Sequence, residues 1–161
     1  MKLIFTPNHE YIHKVLVVAH EAQVISKIKM EIQIPFDENT KIWEYNPLGK
    51  VPSFFTKEGN LLLGGLVICE YLDQFNFNKP LFPKDNTQWD VKRQMILGDG
   101  IFDATTLIRI ESWRKTVSQN KPYMLRERKK IMSALKMLEK DAEVWIKKPE
   151  EFHIGHVTTA G

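Results

Sequence analysis

Apolar and polar residues follow two different periods along this chain, and the switches between them mark its elements. Lys2-Leu3-Ile4-Phe5 is a short run that breaks at Thr6-Pro7-Asn8, a turn and helix-start signal, so it predicts a strand. Tyr11, Val15, Val18, Ala19 and Ala22 then recur at three- and four-residue spacing, which lines up one apolar face of a helix. Ile28-Lys29-Met30-Glu31-Ile32 alternates with period two, the pattern of a half-buried strand. Strand, helix and strand in succession favour a parallel pair joined by a right-handed crossover.

The polar stretch 37–45 carries Ile42 and Trp43 and reads as a short helix or an irregular segment, stopped by Asn46-Pro47-Leu48-Gly49. Pro52-Ser53-Phe54-Phe55-Thr56 and Asn60-Leu61-Leu62-Leu63 flank Lys57-Glu58-Gly59, a hairpin with a glycine turn. Gly64-Gly65 lets the chain swing into a helix carrying Leu66, Ile68, Cys69 and Leu72. Residues 77–88, with Pro80 and Pro83, show no period and read as a linker between a first domain, 1–76, and a second, 89–161. The second domain reads helical throughout. One long helix spans 89–117 despite Gly98 and Gly100, and another starts near Pro122 with a packing seam of Ile131, Leu135, Leu138, Ala142 and Trp145. Lys147-Lys148-Pro149 ends that helix, and 152–161 reads as the start of a further one that does not develop, so the helical domain is expected to be shortened. The expected fold is therefore an α/β domain, β-α-β-α-β-β-α, followed by an all-α domain.

With 161 residues, 43% hydrophobic and 27% charged, the chain has the composition of an ordinary globular protein rather than a disordered or fibrous one. A net charge of +3 is modest, and the run Arg126, Arg128, Lys129, Lys130 reads as a solvated helix face, so no nucleic-acid partner is expected. The single cysteine, Cys69, cannot close an internal disulfide. No signal-peptide pattern and no apolar run of about 20 residues is present, which gives the expectation of a cytoplasmic protein without a membrane partner.

Wording, rather than period, suggests a family. Asn46-Pro47-Leu48-Gly49-Lys50-Val51-Pro52 ahead of a hairpin, then Val67-Ile68-Cys69-Glu70-Tyr71-Leu72-Asp73, resembles the glutathione-binding domain of soluble glutathione transferases. The linker Pro80-Leu81-Phe82-Pro83 and the later Gly98-Asp99-Gly100-Ile101-Phe102-Asp103-Ala104 resemble the bacterial members. The resemblance implies a thioredoxin-like first domain with a cis Val51-Pro52 bond whose main chain faces glutathione, a homodimer, and a role in detoxification. Related proteins continue through further helices that wall the substrate pocket, so the resemblance implies a truncated helical domain here. Bound as an extra strand, the tripeptide would pair with Val51 and meet Lys50 through a carboxylate. The alternative is that Pro52 only starts an edge strand and Lys50 is solvated.

Two departures from the family's wording stand out. Where members carry an acid and a serine at the start of the helix after the hairpin, the serine hydroxyl holding the γ-glutamyl carboxylate, this chain has Gly64 and Gly65, which keeps the helix-end N–H groups but loses the two side-chain contacts. Each lost bond is worth roughly 1.5 to 3 kcal/mol. A flexible turn is the other reading of the pair. Where members carry Ser-Pro after the first strand, this chain has His9-Glu10; His9 can donate an imidazole N–H to a thiolate, with Asn8 or Thr6 as substitutes, or it is an exposed loop histidine.

Asp103, or Asp99, is the acid that the resemblance places near the γ-glutamyl amine of a second subunit; the alternative is a bond to Arg109 or the neighbouring loop. His13 and His20 share a helix face without a third ligand, so no metal site is expected, and Cys69 reads as core. His153 and His156 take the place of the family's N-terminal capping box, where neither serves in the usual way. The resemblance therefore implies a glutathione transferase-like protein, expected to bind glutathione as co-substrate and to conjugate its thiolate to a small electrophile. The alternative is a relative that keeps the fold as a binding or scaffold module. A thioredoxin-type redox protein is excluded, because residues 6–11 contain no cysteine.

Overall fold

A computed structural model describes residues 1–7, 9–77, 79–147 and 151–159, with the Glu10 side chain also outside the description. The chain divides into two compact units, Met1–Pro83 and Lys84–Ala160. In the first, β1 (Lys2–Phe5), α1 (Glu10–Glu21), β2 (Lys29–Ile32), α2 (Ile42–Tyr45), β3 (Ser53–Phe55), β4 (Leu61–Leu63) and α3 (Gly65–Asp73) follow one another. The four strands form one sheet in the order β2-β1-β3-β4, with β1 parallel to β2 and the other pairs antiparallel. This is the expected α/β arrangement.

β1 is central, and both its inner residues, Leu3 and Ile4, are completely buried. Leu3 lies opposite Phe54, which packs towards Tyr71 of α3, while Ile4 joins Ile42 and Val51 on the other face with Tyr45 and Phe55 against them. Each such side chain contributes about 1.5 to 3 kcal/mol by leaving water. The buried stripe of α1 runs through Ile12, Val15, Val18, Ala19 and Ala22, so Ile12 takes the first place that the spacing gave to Tyr11. β2 departs from its pattern: Met30 and Ile32 are exposed and only Ile28, ahead of the strand, is buried. An edge strand lacks the neighbours that would cover its second apolar position.

Asp73 closes the unit. Its buried carboxylate accepts the backbone N–H groups of Leu81 (2.8 Å) and Phe82 (3.1 Å), which ties the segment after α3 to the helix end.

The second unit is helical: α4 (Gln88–Ser112), α5 (Lys121–Trp145) and a short α6 (Ile154–Thr159). α4 stops before the expected Val117. The Ser112 hydroxyl bonds the Arg109 carbonyl, and the Gln119 amide donates to the carbonyls of Ser112 and Arg114, so these groups cap the helix end before a short 3-10 turn at Thr116–Ser118. Asn120 then caps α5 by accepting from the Tyr123 N–H, with Pro122 in the first turn.

The α5 seam is Ile131, Ala134, Leu138, Ala142 and Trp145, buried or half-buried; Leu135 is exposed and Ala134 replaces it. A helix period of 3.6 drifts away from 135 and onto 134. The same face continues to Glu127, fully buried and held by both oxygens to Lys130 at 2.7 and 2.8 Å.

Two glycines let α6 lie against α4. A Cβ on Gly98 would meet the Thr158 carbonyl oxygen at 2.8 Å, and one on Gly155 would meet Gln94 Oε1 at 2.5 Å. Residues 154–159 therefore do form a helix, with Ile154, Gly155, Val157 and Thr158 buried. Packing supplies what so short a helix lacks by itself.

Candidate functional site

The loop between α2 and β3 is built around a side chain. Asn46 is buried; its amide donates to the Lys50 carbonyl (2.8 Å) and the Ser53 hydroxyl (3.3 Å), and its oxygen accepts the Leu48 N–H (2.9 Å). Gly49 at φ +62° takes the left-handed turn, and its missing side chain leaves room for the Trp43 ring 2.5 Å from where a Cβ would be. The asparagine thus sets the course of the chain into Lys50, Val51 and Pro52. Lys50 is exposed, Val51 and Pro52 are buried, and the peptide between the latter two is cis. The β1–β3 register begins at Ser53 opposite Ile4, so Val51 lies ahead of the ladder.

The start of α3 is the second component. Gly64 has φ +86°, a conformation that side chains resist, and is the N-cap, with Gly65 the first helical residue. Gly65 is not open space. Lys14 of α1 fills it: Lys14 Cε is 2.6 Å and Nζ 3.5 Å from the position a Gly65 Cβ would take. Lys14 is 3% exposed, and its ammonium lies 5.1 Å from the Tyr11 ring centre. A cation therefore stands beside the helix end whose own N–H groups attract anions. Sequence reasoning missed Lys14; the available signal was a single charge within the apolar stripe between Tyr11 and Val18.

The third component is the segment after β1. His9 is the N-cap residue of α1, half-buried, and its ring lies 5.7 Å from that of Tyr11. The Thr6 hydroxyl donates to the Gln33 carbonyl, which commits its proton to the β2 side of the sheet. Asn8 lies outside the described residues. Asp103 is an exposed residue in the middle of α4, in the second unit, and Asp99 is one turn before it. Cys69 is buried in α3, as its apolar setting predicts. His13 and His20 are exposed on α1. Among the described residues no three His, Cys, Asp or Glu side chains gather as metal ligands, and no helix is long and apolar enough to cross a membrane.

A thioredoxin-type α/β unit with a cis-proline loop, followed by a helical unit, defines the class. Residues 10–74 match the family model described as Glutathione S-transferase, N-terminal domain. A glutathione transferase family member from Pseudomonas fluorescens Pf-5, solved with bound glutathione, superposes with a TM-score of 0.89 at 31% identity, over 99% of this chain and 78% of that one. A glutathione S-transferase from Methylobacillus flagellatus KT, solved with glutathione bound, gives a TM-score of 0.88 at 29% identity, over 98% and 78%. Among curated sequences, the uncharacterized GST-like protein YibF of Escherichia coli K12 is 29% identical over 140 residues, 86% of this chain and 68% of that protein. The chain belongs to the glutathione transferase family.

Proposed function

We propose that this protein binds glutathione in its first unit and conjugates the thiolate to a small electrophile. The observation that carries the reading is Lys14 in the space left by Gly65: the serine contact of the family is gone, and a buried ammonium stands where an anion would be held at the start of α3. In this reading the γ-glutamyl carboxylate lies between Lys14 and the N–H groups of α3, the main chain of Val51 pairs with the cysteinyl residue, and exposed Lys50 meets the glycyl carboxylate. His9 donates an N–H to the sulfur and so favours the thiolate, which is the nucleophile. The electron pair of the sulfur forms the new bond to carbon as the electrophile's leaving group departs with its own pair. Asp103 acts across a homodimer on the γ-glutamyl amine. Thr6 is the weaker candidate at the thiol because its proton already serves Gln33.

The bound glutathione of the Pseudomonas and Methylobacillus structures supports the ligand assignment. Calorimetric titration with glutathione tests it: a saturable heat with one site per chain is expected, and no heat and no thermal shift at millimolar ligand would overturn it. A second reading, a binding module without turnover, is favoured by the loss of side-chain contacts at Gly64 and Gly65 together with the engaged Thr6 hydroxyl. Turnover of a chlorinated nitrobenzene that disappears in His9→Ala would exclude that reading.

A further inference from the structure

The start of α6 is closed by imidazoles. The His153 and His156 rings are stacked at 3.7 Å between centres with 16° between planes. His156 Nδ1 accepts the backbone N–H of His153 at 3.4 Å, which is the backward half of a capping box performed by a neutral imidazole. His156 thus serves the helix start, though through an imidazole nitrogen rather than the side-chain oxygen of the usual capping box. That acceptor role needs the ring proton on Nε2, and Nε2, like His153 Nδ1, is buried with no hydrogen-bond partner among the described residues. Trp145 of α5 stands edge-on to His156 at 4.8 Å, and Phe152 stacks on it at 6.1 Å.

We infer that His153 and His156 form an acid-sensitive latch, which holds α6 on α4 while both rings are neutral and releases it when they take up protons. Three physical effects act together. A proton on His156 Nδ1 removes the acceptor of the His153 N–H. Two charged rings 3.7 Å apart repel each other. Either charge faces the positive end of the helix it starts.

Among the described residues few groups offset these effects. Glu151, just ahead of the pair, is the carboxylate that acts on both imidazoles. α4 presents the neutral amide of Gln94 to Gly155, and its Arg93 is held by Asp141 of α5 at 2.9 Å. Burial first, and then the neighbouring ring, push His153 down to about 4; burial also lowers His156 despite the pull of Glu151. In the released state both rings return towards their ordinary value of about 6.5. Between about pH 6.5 and 4 the released state binds more protons, so docking is complete above that window and weakens as pH falls through it, by up to about tenfold per pH unit for each ring.

Heteronuclear NMR of the full chain, titrated from about pH 7.5 to about 4, reads the imidazoles and the amides of residues 154–159 separately. His153 is expected to titrate near pH 4, and the α6 amides to lose their helical shifts as the rings charge while those of α4 and α5 persist. The double variant His153→Ser with His156→Asp supplies an ordinary capping box and should keep α6 docked through the same range; His156→Asp alone serves if the double variant fails to fold. Helical α6 amides alongside charged imidazoles, an imidazole titrating at its ordinary value, or the same transition in the capping-box variant would each overturn the inference.

Discussion

Replacing Lys14 by methionine isolates the cation that the fold sets beside α3. The thioether fills nearly the volume of the lysine stem in its contact with Gly65, so the packing of α1 on α3 is retained while the ammonium disappears. If that ammonium holds the γ-glutamyl carboxylate, a charge-assisted hydrogen bond of roughly 1.5 to 3 kcal/mol is lost, which raises the dissociation constant of glutathione by about 10- to 150-fold. Calorimetry should compare glutathione with the analogue in which the γ-glutamyl carboxylate is replaced by hydrogen. Wild type should discriminate strongly between the two and Lys14→Met only weakly, while circular dichroism and the melting temperature of the ligand-free variant stay close to wild type. An unchanged glutathione affinity in Lys14→Met, or an equal loss for both ligands, would refute the assignment of Lys14. It would leave the glutathione reading itself to stand on the wild-type titration.

Other perturbations test the scaffold. Asn46→Ala strips the Lys50 carbonyl and the Leu48 N–H of their partner, which should cost about 1 to 3 kcal/mol in urea unfolding and weaken glutathione binding as the Val51 loop loosens; full affinity in the variant would separate that loop from the site. Asp73→Ala leaves the Leu81 and Phe82 N–H groups without their buried acceptor, and should destabilise the first unit by about 3 kcal/mol with little effect on the helical content of the second. Gly98→Ala improves helix propensity by about 1 kcal/mol, but its methyl meets the Thr158 carbonyl oxygen at 2.8 Å. A lowered melting temperature is expected, and a raised one would show that α6 yields without cost.

The thioredoxin-type order was legible because each of its elements carries its own local signal: an apolar stripe in α1, a glycine turn before β4, Gly64-Gly65 before α3. The site was legible only where it is made of main chain. Asn46 reads as a stop signal in sequence, yet in the fold it becomes the hub that sets the course of the chain into Lys50-Val51-Pro52, since burial converts a turn-forming amide into a three-bond bracket. Lys14 and Gly65 are 51 positions apart, and no period links them; packing α1 against α3 brings them together.

What the sequence determined by itself was therefore local: the positions of strands and helices, the family wording around Pro52, and the absence of a thiol where redox chemistry would need one. Tertiary structure decided which side of each pattern is covered. It left Met30 and Ile32 of β2 exposed at a sheet edge, moved the α5 seam from Leu135 to Ala134, and gave six residues ending at Thr159 a helix by docking them on Gly98. Period and propensity are sums over neighbours along the chain. Burial, and with it the charge state of His153 or the use of Lys14, depends on neighbours that only the folded chain supplies.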